Sequence, residues 1–161
     1  MEPTVRSYKD LKVWQAGMDV VKCAYVETQK LPNDEKYGLV SQMRRSAISI
    51  PSNIAEGHGR RYRKEFAHFI STAIGNFCEL ETQISVAKMI GYEMNFQEFD
   101  TVMLKCGRLL YALHRKIDPN LDHSYRSLPR QCPRGRASSR FLRSSNRIVE
   151  RDGCQAEPCR I

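Results

Sequence analysis

The region between residues 66 and 87 carries an apolar residue at alternating intervals of four and three positions. The members of this repeat are Phe66, Ile70, Ala73, Phe77, Leu80, Ile84 and Ala87. The repeat places them on one face of a helix, because an α-helix has 3.6 residues per turn. Three heptads of this kind are typical of a long helix in a helical bundle. We therefore predict a helix that extends to about Ile90, just before Gly91.

Three further segments carry apolar residues at helical spacing. Asn33 or Asp34 is placed to cap the second of the four predicted helices, and Asn95 is placed to cap the fourth. The fourth is predicted to end at Asp118, because Pro119 disfavours helical geometry in the residue before it. The apolar positions are, in chain order, Leu11, Trp14, Met18, Val21 and Tyr25; Leu39, Met43, Ser46/Ala47, Ile50 and Ile54; and Phe99, Met103, Cys106, Leu110, Leu113 and Ile117. Amphipathic helices with short connections and no strand pattern predict an all-α fold, an up-down-up-down four-helix bundle.

The bundle is predicted to occupy residues 8–117, after a short N-terminal lead-in of residues 1–7. Residues 118–161 are rich in Ser, Arg, Pro and Gly and lack apolar periodicity, so we predict a mostly disordered basic C-terminal tail. The N-terminus has no signal-peptide pattern, and no uncharged run is long enough to span a bilayer. These features predict a cytoplasmic protein with no membrane partner.

Six cysteines occur in the chain. In a cytoplasmic protein they are expected to be thiols rather than a disulfide framework. Cys23, Cys78 and Cys106 lie in helical patterns and are predicted to pack as small apolar side chains. The cysteines of the tail have no C-x-x-C spacing, so the sequence predicts no zinc site there.

The second helix contains a proline, Pro51, inside its apolar pattern. A proline removes one backbone donor and bends a helix, but the pattern resumes beyond it, so we predict a kink rather than an end. The alternative is a break followed by a restart capped by Ser52 or Asn53. Gly57 and Gly59 are predicted to stop this helix.

A stripe of polar residues adjoins the apolar face of the second helix. Its members are Gln42, Arg45, Ser49, Asn53 and Glu56. One interpretation is a solvated flank of the helix. The other is a hydrogen-bonded network at a subunit interface, in which Arg45 and Glu56 anchor the polar groups and small side chains permit close helix approach. Val40 and Ile48, apolar residues on the other side of this helix, favour oligomerisation.

The chain has a net charge of +8, which favours polyanionic partners such as nucleic acid. Two basic groups stand out, the pair Arg44–Arg45 and the run from Arg60 to Lys64. Positive charge in the second group opposes the dipole of the helix that follows it. The candidate nucleic-acid-binding residues are Arg44, Arg60, Arg61, Tyr62, Arg63 and Lys64, with phosphate contacts from the cations and base stacking on the tyrosine. The alternative is a solvated loop with incidental charge.

No catalytic or metal-binding constellation is predicted. Glu65 and His68 have the Glu-x-x-His spacing of a di-iron bundle, but the motif occurs once and the heptad places both residues on the outward side. Gly57-His58-Gly59 follows a helix rather than a strand and lacks the Lys and Ser/Thr of a phosphate loop. The serines of residues 46–52 have no recognisable acid and base partners. We therefore expect a protein that is not an enzyme and binds no cofactor.

Five segments of the chain match a known pattern. They are Tyr8–Gln15 (YKDLKVWQ), Leu31–Leu39 (LP-x-x-E-x-YGL), Gln42–Gly57 (QMRRSA-x-SIPSNIAEG), Glu65–Phe69 (EF-x-x-F) and Glu79–Gln83 (ELETQ). Together they resemble a bacterial four-helix bundle family first noticed as open reading frames within intervening sequences of large-subunit ribosomal RNA genes, the 23S rRNA-intervening sequence proteins. The resemblance covers residues 7–117.

The resemblance implies a left-handed bundle that assembles as a homopentamer. It also implies kinship with the accessory variability protein of diversity-generating retroelements, a basic pentamer that binds nucleic acid and a reverse transcriptase. No enzymatic activity is attached to the family. We therefore expect a non-enzymatic, homopentameric accessory protein that binds RNA or other nucleic acid. The alternative is a protein-interaction scaffold with no direct nucleic-acid role.

Overall fold

The computed structural model describes residues 7–118 of the chain. Within this range the chain forms four α-helices and no strand, which confirms the predicted all-α, four-helix fold. The helices are α1 (Lys12–Glu27), α2 (Leu39–His58), α3 (Arg63–Ile90) and α4 (Phe96–Ile117). Short 3-10 helices at Tyr8–Asp10, Thr28–Lys30 and Asn33–Lys36 flank α1 and lead into α2. The predicted tail, beyond its first residue, lies outside the described residues.

The core draws on all four helices, and the heptads of α3 and α4 supply much of it. Ile70, Leu80, Phe99 and Leu110 are completely buried, as their spacing predicts. Leu113 and Ile117, at the end of the α4 repeat, are only partly buried. His114 is buried there instead, and its Nε2 lies 2.9 Å from the hydroxyl oxygen of Ser71 on α3. Large apolar side chains at heptad spacing thus identified the buried faces of α3 and α4 correctly, except at Phe66 in the first turn of α3, which is only partly buried, and in the last turn of α4.

The buried face of α1 differs from the predicted stripe. Met18 and Tyr25 are 42% and 38% exposed, and Trp14 is only partly buried. The residues that α1 buries are Val13, Ala16, Gly17, Val20, Cys23, Ala24 and Glu27. Several of these are small, and small residues let the helix approach its neighbour closely. A Cβ atom at Gly17 would lie 3.4 Å from the Cβ of Pro51 on α2.

The second helix continues through Pro51 to His58, which confirms that the proline does not end it. The predicted cap at Asn33 or Asp34 is wrong, because both residues lie in a separate 3-10 helix. Glu35 caps the start of α2 instead. Its carboxylate accepts a 2.8 Å hydrogen bond from the N–H of Leu39, the first residue of α2, and a second one of 2.8 Å from the hydroxyl of Tyr92. These two bonds lower the pKa of Glu35, the bond from Leu39 more strongly.

Two glycines near the helix ends have different roles. Gly57 was predicted to stop α2, but it lies inside the helix, where a Cβ atom would be 2.7 Å from the Cβ of Phe69 on α3. Its small size therefore permits close contact between α2 and α3. Gly91 follows the last residue of α3 with φ of +89°, a left-handed conformation that glycine adopts without strain. The predicted end of α3 at Ile90 is confirmed.

The fourth helix begins and ends as predicted. The side-chain oxygen of Asn95, the N-cap residue, accepts a hydrogen bond from the N–H of Glu98, and the helix stops at Ile117.

Among the described cysteines, Cys23 and Cys106 are buried, but Cys78 is exposed, so its predicted packing is wrong. None of the helices between residues 7 and 118 combines the length and the apolarity needed to cross a membrane.

Candidate nucleic-acid interface

The turn between α2 and α3 presents its charged residues to solvent. Arg60, Arg61, Tyr62, Arg63 and Lys64 are all exposed. The turn is short because α2 ends at His58 and α3 begins at Arg63. Exposure alone does not make these side chains equivalent, because two of the arginines are occupied by contacts within the protein.

Arg60 is paired with an acidic side chain of α2. Its Nη2 donates a hydrogen bond to Oε1 of Glu56, one turn earlier, and its guanidinium lies 5.0 Å from the centre of the Phe69 ring. Carboxylate and guanidinium are both about half exposed, so the pair is a surface ion pair. The nearby carboxylate weakens the attraction between Arg60 and an incoming anion.

Arg63 holds the end of α4. Its Nε donates to the carbonyl of Ile117 at 2.8 Å, and its Nη2 donates to the carbonyl of Lys116 at 2.6 Å. The last carbonyls of a helix have no partner within the helix and carry the negative end of its dipole, so a guanidinium is a favourable partner for them. Arg63 therefore joins the start of α3 to the end of α4.

The contact made by Arg63 places two further cations, which were not among the predicted site residues, at this end of the bundle. Arg115 and Lys116, in the last turn of α4, are exposed and lie at the same end of the bundle as the α2–α3 turn. We call this region, residues 60–64 with Arg115 and Lys116, the basic end. Antiparallel packing of two consecutive helices places the end of one beside the start of the other. The basic last turn of the fourth predicted helix could therefore have indicated Arg115 and Lys116 from the sequence.

The opposite end of the bundle has the opposite charge balance. It is formed by the end of α1, the start of α2, the end of α3 and the start of α4. The carboxylates in these segments are Glu27, Asp34, Glu35, Glu93, Glu98 and Asp100, and the cations are Lys30, Lys36 and Lys88. The charges of residues 7–118 are thus distributed unevenly along the bundle, and a polyanion is attracted to the basic end.

Three residues of the basic end remain available for a ligand. Arg61 and Lys64 make no hydrogen bond or ion pair with another described residue, and Tyr62 is 65% exposed. Tyr62 is the N-cap residue of α3, with extended backbone geometry. It lies between two arginines in the sequence.

Arg44, the remaining candidate, lies elsewhere. Its Nε donates a 2.9 Å hydrogen bond to the hydroxyl oxygen of Thr28, and its guanidinium lies 4.7 Å from the centre of the Tyr25 ring. It is fourteen residues before the end of α2, or about 21 Å along the helix axis. Arg44 is therefore part of the surface between α1 and α2, and the structure does not bring it together with residues 60–64.

Comparison with protein families gives a match over most of the bundle. A family model described as 23S rRNA-intervening sequence protein matches residues 9–115. The chain belongs to this family. The matched range contains the α2–α3 turn and Arg115, whereas Lys116 follows it directly. No curated protein matches the chain.

The predicted polar stripe of α2 makes its hydrogen bonds locally. Arg45 donates to the side-chain oxygen of Gln42 at 2.9 Å, Ser49 to the carbonyl of Arg45 at 2.9 Å, and Asn53 to the carbonyl of Ser49 at 2.7 Å. Glu56 pairs with Arg60 instead of Arg45. Gln42, Arg45 and Glu56 are exposed, while Ser49 and Asn53 are partly buried. The stripe thus forms a surface, and its role between subunits stays a prediction.

A buried polar contact lies next to the stripe, between α2 and α3. Ser46 is 1% exposed. Its hydroxyl donates to Oε2 of Glu79 at 3.2 Å and accepts a 3.1 Å hydrogen bond from Nε2 of Gln83. The side-chain oxygen of Gln83 is buried and has no hydrogen-bond partner among the described residues. Ser46 was predicted to lie on the apolar face of α2, and its polar contact was not predicted.

The other flank of α2 carries an apolar surface. Its members are Trp14, Met18, Val21 and Tyr25 of α1 with Ile48 of α2, and we call it the α1–α2 outer face. Met18, Tyr25 and Ile48 are about two-fifths exposed, and Trp14 and Val21 are partly buried. Val40, which was predicted to lie on the same side as Ile48, is buried within the protein.

Proposed function

We propose that this protein is a non-enzymatic accessory protein that binds RNA at its basic end. The observation that carries the proposal is the presence of exposed Arg61 and Lys64, without partners among the described residues, at the same end as Arg115 and Lys116. Cations that make no internal contact are available to phosphate groups. Membership of a family named for an rRNA intervening sequence is consistent with an RNA-related role.

The placement of these charges on the helices supports the proposal. Arg115 and Lys116 lie at the C-terminus of α4, where positive charge is favourable, but Lys64 lies in the first turn of α3, where positive charge opposes the helix dipole. An anion bound at this position relieves the unfavourable interaction, because it is attracted both to the cations and to the free N–H groups of the helix start. The arrangement suits a phosphate backbone.

The test is a titration of the full chain with a structured RNA at several salt concentrations. Binding through phosphate contacts releases counterions, so the affinity should fall steeply as salt rises, with a log–log slope set by the number of contacts. A flat response, or no binding at low salt, would contradict the proposal.

The same proposal includes self-association, with the homopentamer as the expected state. The α1–α2 outer face supports it, since exposed apolar residues at heptad-like spacing on one helix are typical of a contact with another helix. Analytical ultracentrifugation of the full chain should give an oligomer. Ile48→Glu and Met18→Glu should lower the mass, whereas Thr82→Glu, on the exposed side of α3, should not. A monomeric wild-type chain would contradict this part.

A protein-interaction scaffold is the second candidate function. The α1–α2 outer face favours it, because the same apolar surface also suits a different protein. Pull-down from a native extract, with and without nuclease, separates the two functions. A protein partner that is retained after nuclease treatment, together with a lack of RNA affinity, supports the scaffold.

A further inference from the structure

We infer that the basic end binds an unpaired segment of RNA, with one base stacked on Tyr62 and the adjacent phosphates held by Arg61, Lys64, Arg115 and Lys116. In this arrangement Arg63 is a positioning residue that fixes the end of α4 and does not contact the ligand. The inference rests on the proposed function and specifies its ligand class and the division of work within the site.

The surroundings of Tyr62 support stacking. The ring is 65% exposed and makes no aromatic or cation–π contact with a described residue, unlike Tyr25, which is covered by Arg44. A free aromatic ring among cations is the arrangement that single-stranded nucleic-acid sites use, since bases stack on the ring while phosphates contact the cations. Bases within a duplex are already stacked on each other, so a duplex offers no base to Tyr62.

A second exposed tyrosine provides a comparison within the same molecule. Tyr37 is 85% exposed, but it lies at the opposite end of the bundle. The Nζ of Lys36 is 5.5 Å from the centre of its ring, and Asp34 and Glu35 shortly precede it in the chain. A phosphate backbone is repelled by these carboxylates, so exposure of the ring is not enough for binding. Tyr37 is therefore a matched control for Tyr62.

The two hydrogen bonds of Arg63 explain its separate role. They lead to consecutive carbonyls, those of Lys116 and Ile117, and the planar guanidinium can satisfy both at once from one orientation. The last turn of α4 is thereby held beside the start of α3, which fixes Arg115 and Lys116 relative to Lys64. A lysine at position 63 keeps the charge but cannot reproduce this pair of bonds in the same geometry.

Fluorescence anisotropy of the full chain with a labelled single-stranded oligouridylate tests the stacking. Tyr62→Ala should weaken binding roughly five- to hundredfold and leave the salt slope nearly unchanged, because stacking is not a charge interaction. Tyr37→Ala should bind as the wild type. An RNA duplex of the same length should compete poorly. Equal competition by the duplex, or wild-type affinity of Tyr62→Ala, would overturn the inference.

Charge-preserving variants test the role of Arg63. Arg63→Lys should weaken RNA binding and speed amide hydrogen exchange in residues 112–117, whereas Arg108→Lys, at an exposed position in the middle of α4, should bind as the wild type with unchanged exchange. If Arg63→Lys keeps full affinity while Arg63→Ala loses it, Arg63 acts by its charge and the positioning role is wrong. If salt-dependent RNA binding persists, the proposed function stands whatever these variants show. If the wild type shows no salt-dependent RNA binding, both the proposed function and this inference are wrong.

Discussion

The carboxylate of Glu27, the last residue of α1, accepts a 2.5 Å hydrogen bond from the backbone N–H of Asn95, the N-cap residue of α4. The same carboxylate accepts two 2.8 Å hydrogen bonds from the ammonium of Lys30. Glu27 is only 2% exposed. One buried carboxylate thus joins the end of the first helix to the start of the last, at the end of the bundle opposite to the proposed RNA site.

Replacement of Glu27 by glutamine should destabilise the bundle. The substitution removes the charge that pairs with Lys30 and weakens the bond to Asn95, and a hydrogen bond to a charged group contributes about 1.5–3 kcal/mol. Urea unfolding should show a loss of this size. Glu93→Gln, at an exposed position nearby, is the control and should change stability by less than about 0.5 kcal/mol. Equal effects of the two substitutions would contradict the role given to Glu27.

The contribution of Glu27 should depend on pH. Burial by itself raises the pKa of this carboxyl, but the hydrogen bonds from Lys30 and Asn95 outweigh burial and leave the pKa below its usual value of 4.5. A carboxyl with a lowered pKa in the folded state stabilises the protein above its unfolded pKa, and this stabilisation is lost as the pH falls through the folded pKa. The stability difference between wild type and Glu27→Gln should therefore shrink below pH 4.5. A difference that grows on acidification would contradict this assignment.

Two glycine-to-alanine substitutions should have opposite effects. At Gly57 a Cβ atom would lie 2.7 Å from Phe69 and 2.9 Å from Phe66, so Gly57→Ala should destabilise by about 1–3 kcal/mol through overpacking. At Gly75, an exposed position within α3, a Cβ atom meets nothing within 4 Å. Gly75→Ala should stabilise by about 0.5–1 kcal/mol, because alanine favours the helix. Thermal unfolding of both variants measures the direction of each change in stability. Changes in the same direction would contradict the close packing of α2 on α3 at Gly57.

The cysteines should differ in reactivity. Burial raises the pKa of the Cys23 and Cys106 thiols to about 12, and nearby carboxylates add to the effect. The thiolate is the reactive form, so both should resist iodoacetamide in the native protein at pH 8. Cys78 is exposed and should be alkylated first among the three. Peptide mass spectrometry measures this order, and rapid labelling of Cys106 would contradict its place in the core.

The sequence predicted the parts of the fold that depend on large apolar side chains. The heptads of α3 and α4 identified Ile70, Phe99 and Leu110 as core residues, because a large apolar residue gains most from burial. In α1 the same reasoning failed. Ala16 and Gly17 contribute little to a hydrophobic pattern, but they allow close packing, and the larger Met18 faces outward as a result.

The candidate site was predictable in position but not in detail. The basic run at residues 60–64 is visible in the sequence, yet the roles of its members depend on neighbours from other helices. Arg63 bonds to carbonyls of α4, more than fifty residues away, and no local pattern reveals that contact. Arg44 was selected for its charge, whereas its partners Thr28 and Tyr25 come from the preceding segments and place it on another face.

The decisive measurement for binding of RNA phosphates by Arg61 and Lys64 is the salt dependence of RNA affinity in a variant that lacks both cations. For the full chain, Arg61→Ala/Lys64→Ala should weaken binding and reduce the magnitude of the log–log salt slope by about 2, one for each lost contact. Lys22→Ala, which removes an exposed cation from the middle of α1, should leave the slope unchanged. A double variant that keeps the wild-type slope and affinity would contradict RNA binding at the basic end.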